Sequence, residues 1–334
     1  MATDLKAAAK GNLLKTTLIR LGKVEELGIF GSLVVIGMAL ALTTEQFATP
    51  TNLVQVLRQT AFIGTMAVGM VFVISLRDID ISVGTMYNLS VIIMAYVLRE
   101  GLNPGLIIPF GLLVGALLGF TNGALSVIFR LPTIIVTLGT MTAYKGLSLV
   151  ISNASTIANF PNRDHWFYNI FGGRHFGGYI HASTILMLIV AVIGYILYNH
   201  TAYGRHVCAI GANPEAARFA GIKVQRTRLI TMTLMGVIAA ISGMGTLAFL
   251  AAADPSFGAG SELIVIAAVI IGGTSLAGGS GSIWGAIIGS LIITVIRNGL
   301  LLLGVSIYWQ GVVTGITIIG AVALDYVIKR QRGS

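Results

Sequence analysis

The sequence predicts an all-α, polytopic membrane protein of about ten transmembrane helices, and three observations carry that prediction. Of its 334 residues, 55% are hydrophobic and only 10% are charged, against about a quarter charged in a soluble domain. The mean hydropathy is +0.89. Apolar runs close to the ~20 residues that a helix needs to cross the hydrocarbon core recur from one end of the chain to the other. Glycine is abundant, at 42 residues, and proline scarce, at 7, a balance that suits helices packed closely in lipid.

The elements follow in order. Residues 1–27 carry Lys6, Lys10, Lys15, Arg20 and Lys23 but no apolar run of signal-peptide type. They read as an uncleaved cytoplasmic segment in which Leu13, Leu14, Leu18 and Leu21 could line a surface helix. The membrane domain, 28–327, divides into spans at 28–44, 53–76, 83–98, 105–129, 133–151, 182–199, 229–251, 262–279, 283–303 and 307–327. Residues 328–334 form a cytoplasmic tail. With both termini inside, fifteen of the 21 basic residues fall on the cytoplasmic side, as the positive-inside rule requires. Arg77, Arg130, Arg205, Arg218, Lys223, Arg226 and Arg228 are among them. The outer side receives chiefly Arg99, Arg163 and Arg174. The polar stretch 152–181 becomes a periplasmic segment whose Trp166, Tyr168 and Tyr179 suit an interfacial belt. Asn122-Gly123 and Asn298-Gly299 each follow a glycine-rich span. They suggest two weakly related inverted halves, or a chance likeness between glycine-rich helices.

The same residues exclude several chemistries. The net charge of +9 orients the chain in its membrane rather than indicating a nucleic-acid partner. Cys208 is the single cysteine, which rules out an internal disulfide. It lies in the basic segment 200–228, on the reducing side. No phosphate-cradling Gly-x-x-x-x-Gly-Lys-Ser/Thr and no His-Glu-x-x-His or Cys-x-x-Cys occurs. His165, His175, His181, His200 and His206 sit outside spans or at their ends, where they read as solvated loop residues. Asp78 and Asp80 alone do not make the convergent carboxylates that a Mg²⁺-dependent intramembrane transferase needs. The expectation is a transport subunit with no catalytic residue, no metal site and no cofactor of its own.

The most informative local signal lies between spans six and seven. Asn213 can cap a helix, Pro214 suits its first turn, Glu215 its positive end, and Gly221 the left-handed residue that stops it. Pro214, Glu215, Ala216, Ala217, Arg218, Phe219 and Ala220 then form a helix of about two turns, too short to stand alone. It exposes Phe219 and Ile222. Such a helix in a basic segment either docks on a partner or lies on lipid headgroups.

This stretch resembles the coupling segment in permease subunits of bacterial ATP-binding-cassette importers for monosaccharides, the ribose, xylose, galactose and arabinose type. Asp78-Ile-Asp-Ile-Ser-Val-Gly84 is similar to the family's Gly-Ile-Asp-Leu-Ser-Val-Gly signature, with Asp80, Ser82 and Gly84 matching. Asn122-Gly123, Thr137-Leu-Gly-Thr-Met141, Gly146-Leu147, Glu262-Leu263, Gly272-Gly273-Thr274, Gly278-Gly279, Asn298-Gly-Leu300 and Trp309-Gln310 follow in the family's order. The likeness runs from about residue 50 to 325. The chain departs from the family's pattern at Asp78, where a small residue is usual, and at Lys145, where an arginine is common.

The resemblance implies an inner-membrane permease that pairs with a second, identical or different permease chain. It also implies cytosolic ATPase subunits that bind ATP and Mg²⁺, and a periplasmic or lipid-anchored sugar-binding protein. ATPase closure would reach the membrane through residues 213–221 and drive alternating access. Within the spans, Asn88, Asn122, Thr137, Thr140 and Asn298 could hydrogen-bond a passing sugar or bond helix to helix. Asp80, with Ser82 and Gly84, reads as a gate or structural lock partnered by Arg77 or a helix terminus, or as a solvated turn capped by Ser82. Lys145 and Arg297 either snorkel to the outer interface or line the mouth of the path. A permease for branched-chain amino acids or a furanosyl signalling molecule shares this architecture. A secondary transporter would need membrane-buried coupling carboxylates, which the spans almost lack.

Overall fold

The computed structural model describes residues 25–306, 308–316 and 319–320. The surface helix expected around Leu13–Leu21, about half of the last span and the basic tail lie outside the described residues. The helices are α1 Glu25–Thr43, α2 Pro50–Ser75, α3 Val83–Arg99, α4 Ile107–Phe129, α5 Thr133–Ser152, α6 Trp166–Gly172 and α7 Ala182–His200. There follow α8 Ala202–Ala212, α9 Pro214–Phe219, α10 Val224–Leu250, α11 Ser261–Ile271 and α12 Ile283–Leu302. Six of these segments (α2, α4, α5, α7, α10 and α12) are long and apolar enough to cross a membrane, and α1, α3 and α11 are shorter apolar helices.

Local chemistry accounts for the boundaries. At α2 the Thr49 hydroxyl accepts from the Asn52 N–H and Pro50 occupies the first turn, where its missing donor costs nothing. At α12 the Ser282 hydroxyl accepts from the Gly285 N–H. Between helices, α2 and α10 form the centre. All of α2 from Gly64 to Ser75 is buried. The helix α10 packs on α4, α2 and α3; α2 in turn receives α12, α7 and α11; and α3 is backed by α5. The closest of these seams, between α4 and α10, runs through Gly115, Gly119 and Gly236. Apolar residues on α4, α5 and α7 remain exposed in quantity, as lipid-facing helices require.

Several expectations are corrected. The run 262–279 is not one continuous helix: α11 stops at Ile271, and a non-helical segment carries the chain to Ser282. Gly273, Gly278 and Gly279 there take positive φ, which ends the helix although the composition stays apolar. The segment 200–228 is largely helical, and Cys208 lies half-buried in α8 with its thiol on the Tyr198 hydroxyl. Beyond α5 the chain adds small β-structure to the all-α plan. β1 (Ile157–Ala158) pairs antiparallel with β4 (Ala252–Ala253), and β2 (Arg174–His175) with β3 (Ile180–His181). Of the expected aromatic belt, Trp166 and Tyr179 are exposed but Tyr168 is buried. His181 is no solvated loop residue: it is buried at the start of α7. Burial, with Arg58 and Arg174 nearby, holds its imidazole below the usual range.

Candidate functional site

Two interruptions in the helical core, and the short helices packed against them, form the candidate site. The first interruption joins α2 to α3. Asp80 is 0% exposed, so it is not a solvated turn, and its partner is not Arg77. The Ser82 N–H and hydroxyl both donate to Asp80 Oδ1, at 2.8 and 2.7 Å. Ser82 therefore spends its hydroxyl on Asp80 and gives α3 no side-chain cap. Asn122 on α4 donates to the Ser82 hydroxyl at 2.7 Å and accepts from Tyr144 on α5. The Ile81 N–H donates to Thr137 Oγ1, which donates on to the Ile79 carbonyl. These bonds satisfy backbone that has left the helical ladder in a place with no water to replace it. Asp80 Oδ2 has no hydrogen-bond partner among the described residues. Asp78 is 8% exposed and pairs with Arg228 Nε on α10 at 2.7 Å.

Next to this turn, the first turns of α3 and α11 abut. A Cβ on Gly84 would lie 2.7 Å from the Gly258 carbonyl, beside Ser261 and Glu262, so only glycine fits. The segment leading into α11 is held from several directions. Asn88 donates to the Asp254 carbonyl, Lys145 to the Pro255 carbonyl, and the Thr156 hydroxyl to Asp254 Oδ2. Bonds from Ser256 and Thr156 hold the Asp254 carboxyl below the usual carboxylate range. Lys145 thus fastens a loop rather than reaching freely to the interface.

Beside α11 a cavity of about 270 Å³ opens between α2 and α12, near the lower end of the ~300–1,000 Å³ usual for small-molecule sites. Gln59, Tyr87, Ser261, Arg297, Asn298 and Gln310 present polar groups there, and Phe62, Ile63 and Met66 an apolar wall. Arg297 bonds Gln310, and Asn298 exchanges amide bonds with Asn52 at 2.9 and 3.0 Å. Of the five residues proposed from the sequence to meet substrate, Asn298 alone lines this cavity. Asn122 and Thr137 hold the α2–α3 turn, Thr140 bonds within its own helix, and Asn88 Oδ1 has no partner among the described residues. Gln59 was not foreseen, although an amide beside Arg58 within an apolar span was a readable signal.

The second interruption is the non-helical stretch between α11 and α12, and at one end of the bundle α8 is wedged against both. A Cβ on Gly211 would overlap the Ser75 carbonyl and the Gly279 N–H, and those two groups bond each other at 2.9 Å. Tyr198 adds a 2.7 Å bond to the Ser75 hydroxyl. Then α9 departs. Asn213 Oδ1 accepts from the Glu215 and Ala216 N–H groups at 3.1 and 3.0 Å, Pro214 starts the helix, and Gly221 takes φ +83° just beyond it, all as the residues predicted. Ala217 faces inward, Glu215 and Arg218 are exposed, and Phe219 is 91% exposed. Ile222, expected to be exposed, is half-buried against the core.

Residues 52–322 match the family described as branched-chain amino acid transport system / permease component. The chain belongs to this permease family. Among relatives, the ribose import permease RbsC of Bacillus subtilis (strain 168) is 40% identical over 304 residues, covering 91% of this permease and 94% of the relative. The ribose import permease RbsC of Escherichia coli (strain K12) is 36% identical over 303 residues, 90% and 94% of the two chains. The D-allose transport system permease AlsC of the same strain is 39% identical over 291 residues, 87% and 88%. The resemblance to monosaccharide permeases drawn from the motifs is borne out. This permease is a multi-pass protein of the bacterial inner membrane and a transport subunit.

Proposed function

We propose that the permease is the membrane subunit of an ATP-driven importer that carries a monosaccharide. Its ten spans would form one membrane domain with both termini cytoplasmic, in two inverted halves. The observation that carries the ATP-driven part is the backbone junction at Gly211. There α8 touches the end of α2 and the Gly278–Gly279 turn together, while α9 stands clear and offers Phe219. A partner gripping Asn213–Gly221 would move both interruptions in one stroke. That partner is a cytosolic ATPase holding ATP and Mg²⁺, so this chain needs no cofactor.

A second permease chain completes the path, and a periplasmic or lipid-anchored binding protein delivers substrate to the side bearing 152–181. We assign sugar contact to the cavity of Gln59, Tyr87, Ser261, Arg297 and Asn298, where amides and hydroxyls face aromatic and apolar walls. Asp80, Ser82, Asn122 and Thr137 act as the lock that holds the α2–α3 turn. The names of the ribose and allose relatives favour a sugar over the branched-chain amino acid in the family's description. The test is the assembled complex in nanodiscs with its binding protein. Ribose- or allose-loaded binding protein should stimulate ATP hydrolysis; stimulation by a leucine-loaded protein alone would overturn the assignment.

A further inference from the structure

The α9 end of the bundle carries a cleft of about 890 Å³, and of the residues that line it only Arg218 belongs to the segment assigned above to the ATPase. Arg130, Arg218, Lys223, Arg226 and Arg228 line it together with Leu131, and among the described residues no carboxylate does. Arg228 is neutralised by Asp78. Among the described residues the other four basic side chains form no ion pair. The first turn of α10 forms part of the wall, and its N-cap Lys223 offers no side-chain acceptor. Positive charge therefore converges here without an anion to balance it.

Two further observations say what kind of anion fits. Arg130 ends α4 at φ +54°, a left-handed conformation that glycine would take without strain, yet the position holds a guanidinium that lines the cleft. The cleft also opens at the edge of an apolar surface: Ile128, Phe129, Leu131, Ile134 and Ile135 are all exposed around the α4–α5 turn. These are the ends of membrane-spanning helices, where headgroups lie. A cationic cleft bordered by bare aliphatic and aromatic side chains suits an amphiphile, with its phosphate among the arginines and its chains along α4 and α5. We propose that this cleft binds the headgroup of an anionic membrane phospholipid.

The inference uses no residue of the sugar cavity, and it stands or falls apart from the sugar assignment. The full-length permease in nanodiscs should retain phosphatidylglycerol over phosphatidylcholine by roughly tenfold or more, read by native mass spectrometry after detergent extraction. Arg226→Gln and Arg130→Gly should each weaken that preference about fivefold, the loss expected for one basic residue. Because Arg130→Gly also relaxes the backbone, its loss of lipid would not come from misfolding; an unchanged or raised melting temperature confirms this. Arg130→Lys should keep most of the preference. Equal retention of both lipids, or unchanged retention in both neutral variants, would overturn the proposal. Displacement of the lipid by millimolar inorganic phosphate would overturn it in favour of a soluble anion, and its displacement by the assembled ATPase in favour of an acidic protein edge.

Discussion

Helices α8 and α9 are separated by the single residue Asn213, yet they are built for opposite ends. The first is seated: Gly204, Val207, Ile210 and Gly211 are buried, and its last turn lies backbone to backbone on the ends of two other segments. The second is presented: only Ala217 of its six residues is buried, and its largest side chain is almost bare. If a partner grips α9 as proposed, the difference gives the bundle a way to carry a force inward. One helix supplies a rigid fit that cannot be adjusted, and the next supplies a surface whose residues are free to match a partner.

Breaking the seat should have the largest effect. Gly211→Val drives a branched side chain into the Ser75 carbonyl and should destabilise the protein by about 3 kcal/mol, seen as a lower melting temperature and poor recovery from detergent. Arg228→Ala comes next. It leaves the Asp78 carboxylate without its cation close to the same junction and should cost about 3 kcal/mol or somewhat less, since Arg228 is 24% exposed. The double change Asp78→Ala with Arg228→Ala should recover most of that loss; a double variant no more stable than Arg228→Ala alone would mean that the pair is not what holds the turn.

The presented helix should respond differently, and by less. Asn213→Ala removes the acceptor for two N–H groups, costs about 1 kcal/mol, and should raise hydrogen exchange at Glu215 and Ala216 while α8 stays protected. Phe219→Ala should shift stability by no more than about 0.5 kcal/mol but reduce binding-protein-stimulated ATP hydrolysis about tenfold. If Phe219→Ala unfolds the protein, or if Gly211→Val leaves it intact, the division between the two helices is wrong.

Much of this was legible in the residues. Uninterrupted apolar length gave α2, α4, α5, α7, α10 and α12, and Asn213, Pro214 and Gly221 set the limits of α9. The helix α8 escaped notice because Arg205 and His206 break its apolar pattern and its glycines resemble those of a loop. The break after Ile271 was hidden for the opposite reason: Gly272–Gly279 continue an apolar run, and only their backbone angles end the helix. Adjacent Arg77 suggests itself as the partner of Asp80, but that carboxylate bonds Ser82, two residues away. What could not be read locally is the long-range support: Asn122 bonds the Ser82 hydroxyl, and the partner of Asp78 is Arg228, 150 positions away. Such contacts follow from which helices become neighbours, and span-counting does not fix that.

The hydrogen bond between the Gly279 N–H and the Ser75 carbonyl has a consequence for timing. It ties a residue from early in the chain to one from late in it, directly under α8. Movement of one interruption without the other would break this bond, at a cost of about 1 kcal/mol, so intermediate shapes with one side sprung are disfavoured by that much. A pathway that relied on loosening one side before the other would have to snap this bond first.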